Sequence, residues 1–107
     1  MALLLTSLLL ALPALAAATD SQIADAIYIV EGGPKAKVPY GILSIKVKDK
    51  AHARRVCLRT ISNSRARWIA AGKPGHYLDF LADRYCPRSV SKIGNLNWRT
   101  NIHRLIK

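Results

Sequence analysis

The chain has 107 residues and a formal net charge of +11, because 17 Lys and Arg residues face only six acids. This length accommodates one small domain with one modest core. All basic residues follow position 34, so the surface favours polyanions such as nucleic acid, anionic lipid or acidic cell-wall polymer.

The first 18 residues are almost wholly apolar and predict a secretory signal peptide. Small residues at Ala14, Ala16 and Ala18 provide Ala-x-Ala steps that suit a signal peptidase. A membrane anchor that stays attached is the alternative, although the apolar run is short for a spanning helix. We therefore expect a single domain at residues 19–107, periplasmic or secreted, with no stable membrane span after cleavage. Export makes the envelope polymers better partners than nucleic acid, for which no sequence-specific recognition motif is visible.

The first helix of this domain is predicted directly after the leader. Residues 19–21 offer N-cap oxygens, and apolar residues recur at steps of three and four up to Val30. Gly32 or Gly33 then closes a short helix with one buried face. The following segment predicts a loop and then a short extended or hairpin piece at residues 42–48.

Three further helices are predicted, at about residues 50–71, 76–85 and 97–106, and residues 88–95 are expected to form a surface loop. Asp49 offers a cap for the first of these three, and Leu105 is expected to point inward from the last. Arginines on helix 50–71 are either a solvated outer face or a surface that holds anionic envelope polymers. These are Arg54, Arg55, Arg59, Arg65 and Arg67.

The two cysteines, Cys57 and Cys86, predict a disulfide, because an even pair in a small exported domain is commonly oxidised. The alternative is a pair of buried thiols that pack as small apolar side chains. The spacing of the two cysteines resembles neither a redox pair nor a metal site, and the histidines at 52, 76 and 103 do not cluster with the cysteines. We expect no metal and no cofactor.

Glu31 is the only glutamate in the chain, and it lies where the first helix meets the glycine loop. The partial negative charge of a helix carboxyl end and the apolar neighbours both oppose ionisation of this carboxyl group. A carboxyl group that stays protonated near neutral pH is suited to general acid catalysis. The alternative is a solvent-exposed glutamate at a helix end.

The order of helix, Glu31, glycine loop and the segment Tyr-Gly-Ile-Leu-Ser-Ile at residues 40–45 resembles the lysozyme-like superfamily. The similar branch contains the soluble lytic transglycosylases and goose-type lysozymes, in which a catalytic Glu ends a helix and a Gly-Leu-Met-Gln-Ile type segment lines the sugar cleft. The usual Ser after the Glu is Gly32 here, and the usual Gln is Ser44. Segments around the two cysteines and Trp98 also look like small secreted bacterial lysozyme-like proteins.

This resemblance implies a mainly α, small lysozyme-like helical domain that acts as a monomer on peptidoglycan glycan strands. It implies glycosidic cleavage with Glu31 as the single general acid and base, and substrate contacts from Tyr40 and Ser44. Tyr85 and Asn97 are further substrate-binding residues in this interpretation, although Tyr85 could instead pack beside the disulfide. The two tryptophans either stack on sugars or belong to the core.

Two other classes of function remain open. One is a non-catalytic cationic envelope-binding or antibacterial protein, in which the charge carries the activity. The other is a secreted nucleic-acid-binding or inhibitor module, which predicts strong salt-dependent binding to DNA or RNA.

Overall fold

The computed structural model describes residues 17–106, so the predicted signal peptide lies outside the described residues except for Ala17 and Ala18. Within this range the chain forms four α-helices, α1 (Asp20–Val30), α2 (Lys50–Ala70), α3 (Tyr77–Tyr85) and α4 (Lys92–Ile106). Two 3-10 turns, Gly33–Lys35 and Pro39–Gly41, connect α1 to the segment before α2. The mainly helical fold that the sequence predicts is confirmed.

Helix α1 begins with a complete capping box. The Gln22 backbone N–H donates to Thr19 Oγ1 at 3.1 Å, and the Thr19 N–H donates to Gln22 Oε1 at 2.9 Å, so two amides that the helix cannot pair are satisfied. The helix ends at Val30, with Glu31 as its C-cap residue. Gly32 follows with φ 114°, a conformation that only glycine adopts without strain.

The core is built from one stripe of each helix. Helix α1 packs against α2 and α4, and α3 also packs against α2 and α4, so each helix contacts two others. Ile27, Ile61, Leu81 and Ile102 come from the four helices in turn and are completely buried. Burying an aliphatic side chain of this size contributes about 1.5–3 kcal/mol, so these four residues are a main source of stability.

Helix α2 carries its buried residues at steps of four, four and three. Asp49 caps the helix as predicted, because its Oδ1 accepts a hydrogen bond from the His52 N–H at 2.8 Å. The predicted outer face is wrong for two arginines: Arg54 forms an ion pair with Asp25, and Arg65 forms one with Asp20. The inward residues are Ala53, Cys57, Ile61 and Ser64.

The predicted extended or hairpin piece is not formed, since no strand occurs anywhere in residues 17–106. Residues 42–48 run without regular structure between the second 3-10 turn and α2. A strand needs a neighbouring strand to pair its backbone groups, and this helical domain supplies none. The segment buries Ile42 and leaves Leu43 84% exposed.

The predicted surface loop at residues 88–95 is wrong for its second half, because α4 begins at Lys92. Ser91 Oγ accepts a hydrogen bond from the Gly94 N–H at 2.9 Å and so satisfies a first-turn amide. Asn95 is completely buried and donates to Asp83 Oδ1 and to the Cys86 carbonyl. At the other end, Leu105 is 40% exposed and does not point inward as predicted.

The predicted disulfide is also wrong, because Cys57 and Cys86 are both free. The buried Cys57 Sγ accepts a hydrogen bond from the Tyr85 hydroxyl at 3.3 Å. The Cys86 Sγ packs against the start of α4, where a Cβ added to Gly94 would lie 2.9 Å away. Each sulfur thus has its own surroundings, and the two thiols pack as separate small side chains.

In the part of the chain described here, no helix is both long enough and apolar enough to cross a bilayer.

Candidate functional site

Glu31 is fixed at the junction between α1 and the first 3-10 turn. Its backbone N–H donates to the Ile27 carbonyl at 2.9 Å, which keeps the residue on the last turn of the helix. Gly32 and Gly33 then take positive φ angles of 114° and 57° and redirect the chain. The Glu31 side chain is partly buried rather than free in solvent.

Trp98 of α4 holds the Glu31 carboxyl group. The indole Nε1–H donates to Glu31 Oε1 at 3.2 Å, across 67 positions of sequence. Only 5% of Trp98 is exposed, so the ring is a rigid part of the core that reaches the edge of α1. This contact is the main feature of the site that the sequence did not indicate.

Gly41 closes the other side of the carboxyl group. A Cβ built on Gly41 would lie 2.5 Å from the Glu31 carboxyl carbon, a separation that no real side chain could keep. Gly41 has φ 66°, and Tyr40 before it has φ 61°, which is uncommon for a residue other than glycine. The Pro39–Gly41 turn therefore brings bare backbone against the carboxyl group, and a side chain at position 41 would combine a strained backbone with a contact that displaces the Glu31 carboxyl group.

Burial between these groups raises the pKa of the Glu31 carboxyl above its ordinary value of 4.5. The hydrogen bond from Trp98 favours the carboxylate and opposes this effect, but the loss of solvation is the larger cause. The net direction is the one that a general acid requires, because a larger fraction of the group stays protonated as the pH approaches neutrality.

A groove of about 350 Å³ lies beside this carboxyl group. Gly41 belongs to the groove and also contacts Glu31. The Tyr85 ring, in the opposite wall, stacks on Trp98 with ring centroids 5.3 Å apart and an angle of 14° between the planes. Glu31 itself is not one of the groove-lining residues: it contacts Gly41 directly, and Trp98 lies between it and Tyr85. The walls are residues 41–44, Val56 and Thr60 of α2, and Arg84 and Tyr85 of α3.

Tyr85 is fixed by its hydroxyl group, which donates to Cys57 Sγ. Burial raises the pKa of this phenol, and the neighbouring Cys57 thiol acts in the same direction. The phenol therefore stays neutral across the physiological pH range. Tyr85 positions Trp98 through ring stacking, and its ring forms part of the groove wall.

The structure places the predicted substrate-binding residues in different surroundings. Ser44 and Tyr85 line the groove, Ser44 from the exposed segment after the second 3-10 turn. Tyr40 is 2% exposed, and its hydroxyl accepts a hydrogen bond from Arg54 Nη1 at 3.1 Å instead of contacting Glu31. Asn97 is exposed on α4 and is not one of the groove residues.

Two of the three histidines lie together, with the His76 and His103 ring centroids 4.7 Å apart. His103 Nε2 pairs with Asp79 Oδ1 at 2.8 Å, and His76 Nδ1 accepts from the Leu78 N–H and caps α3. Across residues 17–106, no group of three or more His, Cys, Asp or Glu side chains is arranged to hold a metal ion.

Comparison with protein-family models, curated proteins and solved structures found no match to this chain.

Proposed function

We propose that this chain is a secreted or periplasmic peptidoglycan-cleaving glycosidase, either a lytic transglycosylase or a lysozyme-like muramidase. The observation that carries the proposal is the partly buried Glu31 carboxyl group, held between Trp98 and Gly41 beside an open groove. Its raised pKa fits a proton donor to a glycosidic oxygen. The groove volume lies at the lower end of the range for small-molecule sites, which begins at about 300 Å³.

A single-acid mechanism is favoured because the remaining acids of the chain have structural partners. Two-carboxylate glycosidases need a second free carboxyl group within about 5–9.5 Å of the first. Here one aspartate caps α2 and the other four bind basic or amide side chains of neighbouring elements. The five are Asp49, which caps α2, Asp20 with Arg65, Asp25 with Arg54, Asp79 with His103, and Asp83 with Arg88 and Asn95.

In the proposed reaction, neutral Glu31 donates its proton to the glycosidic oxygen as the bond to the anomeric carbon breaks. This step requires the carboxyl group to move past Gly41 into the groove, because Glu31 is not one of the groove-lining residues. The Trp98 N–H bond stabilises the carboxylate that this step leaves. Glu31 then accepts a proton from the nucleophile that attacks the anomeric carbon. If that nucleophile is a hydroxyl group of the same sugar, an anhydro-sugar forms; if it is water, a reducing sugar forms.

The test is the variant Glu31→Gln, which keeps the shape of the side chain and removes its ionisable proton. We expect the release of soluble fragments from purified sacculi to fall at least a hundredfold, within the range that general acid–base catalysis contributes, with binding to sacculi retained. Mass spectrometry of the wild-type products distinguishes anhydro-sugars from reducing sugars. Asp25→Asn is the matched control, because it neutralises another α1 carboxylate whose side chain is 65% exposed.

The formal charge of +11 favours one alternative, a non-catalytic cationic protein that binds anionic envelope polymers. This alternative predicts that Glu31→Gln leaves the effect on bacterial envelopes unchanged. It also predicts that wild-type protein releases no fragments from sacculi. The two functions therefore give opposite results in the same experiment.

A further inference from the structure

The groove beside Glu31 has one positively charged side chain in its wall, Arg84 at the end of α3. Three other arginines of the domain form ion pairs with acids: Arg54 with Asp25, Arg65 with Asp20 and Arg88 with Asp83. Within residues 17–106, no carboxylate forms an ion pair with Arg84. An exposed guanidinium in a groove wall is thus available to a ligand.

The surroundings of Arg84 fit a carbohydrate that carries a negative charge. The facing walls combine apolar surface from Val56 and Ile42 with hydroxyl groups from Ser44 and Thr60. Thr60 Oγ1 donates to the Val56 carbonyl at 3.0 Å, so its oxygen remains able to accept a hydrogen bond from a sugar hydroxyl. A guanidinium presents several N–H donors in one plane and matches a carboxylate with two parallel hydrogen bonds.

We propose that Arg84 is a specificity-determining residue that binds a carboxylate carried by the glycan strand in the groove. This inference rests on the proposed function, because it takes a peptidoglycan strand as the ligand. Peptidoglycan offers that carboxylate from two sources, the stem peptide where it is attached and the lactyl group of muramic acid where the peptide has been removed, because an attached peptide converts the lactyl carboxyl group to an amide. Both present the same chemistry to the guanidinium, and a neutral glycan such as a chitin oligosaccharide presents neither.

The experiment measures dissociation constants of short oligosaccharides for the Glu31→Gln protein, in which cleavage does not disturb the equilibrium. Each carboxylate-bearing tetrasaccharide is compared with the same molecule converted to its methyl amide. One series retains stem peptides and a second series is stripped of them, so that only the lactyl carboxylate remains. The same pairs are measured after adding Arg84→Gln, and separately after adding Arg88→Gln.

We expect the carboxylate form to bind about ten- to a hundredfold more tightly than the methyl amide, as charged hydrogen bonds of this kind contribute. Arg84→Gln should bring this ratio close to one. Arg88→Gln removes the same charge four residues along the chain, at a side chain that pairs with Asp83 outside the groove, and should keep the ratio. A preference in the stripped series identifies binding of the lactyl carboxylate; a preference in the peptide-bearing series identifies binding of a stem-peptide carboxylate, because the lactyl carboxyl group is an amide there.

Two results would overturn the inference: a ratio near one in the parent protein, or an equal loss of preference in the Arg84 and Arg88 variants. Neither result bears on catalysis. The glycosidase function fails separately, if wild-type protein and Glu31→Gln release the same fragments from sacculi. The failure of one proposal is therefore distinguishable from the failure of the other.

Discussion

Two effects act on the ionisation of Glu31 in opposite directions. Burial disfavours the carboxylate, and the indole N–H of Trp98 favours it. Because burial is the larger effect, the folded protein binds the Glu31 proton more tightly than the unfolded chain does. The balance between burial and this hydrogen bond should affect both the stability of the protein and the pH dependence of its activity.

The first prediction concerns stability and pH. As the pH rises above 4.5, the ordinary pKa of this carboxyl group, the unfolded chain loses the proton before the folded protein does. The wild type should therefore lose unfolding free energy relative to Glu31→Gln until the pH passes the raised pKa of the folded state. The loss is about 1.4 kcal/mol for each unit by which the pKa is raised. Urea unfolding of both proteins between about pH 3 and pH 8 measures this loss. A difference in unfolding free energy between the two proteins that stays constant with pH would contradict the prediction.

The second prediction uses Trp98→Phe, which keeps an aromatic ring and removes the N–H donor. Without the hydrogen bond that favours the carboxylate, the pKa of Glu31 should rise further. The alkaline limb of kcat/KM, where Glu31 loses its proton, should then move to higher pH. Trp68→Phe is the matched control, because that indole donates to the Pro74 carbonyl. An unchanged limb in a folded Trp98→Phe protein would show that the hydrogen bond does not act on Glu31.

At the level of elements, the Pro39–Gly41 turn is the part of the fold that most directly shapes the site. It places two consecutive residues, Tyr40 and Gly41, at positive φ. The buried Tyr40 ring lies against Tyr28 with centroids 5.2 Å apart, and its hydroxyl accepts from Arg54. These contacts hold a strained turn against α1 and α2, so the turn belongs to the site even though the Tyr40 side chain does not reach the groove.

The third prediction separates backbone strain from contact with Glu31. In Gly41→Ala the new methyl group sits on a backbone with φ 66° and also collides with the Glu31 carboxyl group. In Gly75→Ala the backbone has a similar φ of 63°, but no atom lies within 4 Å of the new methyl group. Gly75→Ala should cost about 1–2 kcal/mol, the penalty of a left-handed residue, and keep full activity. Gly41→Ala should cost more and should lower kcat by displacing the carboxyl group. Equal stability costs and equal activities would show that the carboxyl group moves aside freely.

Local signals in the sequence were sufficient for most helix boundaries. The caps formed by Thr19 and by Asp49 each bind a backbone N–H three residues later in the chain. Such caps can be recognised from the sequence alone. The sequence does not predict the start of α4, because Gly94 and Asn95 suggest a loop. Their helical conformation depends on contacts with Ser91, Asp83 and the Cys86 carbonyl. Tertiary contacts decide this boundary over local propensity.

The site could be predicted only in part for the same reason. Glu31 and Gly41 can be recognised from the sequence because they lie close together in the chain and follow a recognisable order. The Trp98 contact spans 67 positions, and Arg84 reaches the groove only because α3 packs against α2. No spacing rule relates such residues. The disulfide prediction was wrong because cysteine number and compartment say nothing about where each sulfur points.

At the level of the whole molecule, the domain is held together by packing and ion pairs between helices. The four helices enclose one core, and two arginines of α2 connect it to α1 through Asp20 and Asp25. No covalent cross-link joins the two cysteines. The stability of the domain should therefore not depend on the redox state of the solution.

The fourth prediction follows from the two free thiols. Adding a reductant should leave the midpoint of thermal unfolding unchanged, whereas reducing a disulfide of this loop length would lower stability by about 3 kcal/mol. A thiol reagent should count two reactive groups in the unfolded chain without prior reduction. In the folded protein, Cys57 should react slowly because it is completely buried. A large drop in the midpoint on reduction would contradict the free-thiol arrangement.

The last prediction separates the charge of the molecule from the chemistry of its groove. Attraction between a protein of charge +11 and an anionic envelope acts at long range, and it weakens as the Debye length falls from about 10 Å at 0.1 M salt to about 3 Å at 1 M. The proton donation that we propose for Glu31 would occur within a partly buried contact that salt screens much less. Raising the salt concentration should therefore increase the KM for sacculi by at least about tenfold, as expected when several charges bind a polyanion, while kcat changes by less than about twofold. Far-UV circular dichroism at both salt concentrations checks that the fold is unchanged. A kcat that falls in parallel with the affinity would mean that the charged surface takes part in the chemical step itself.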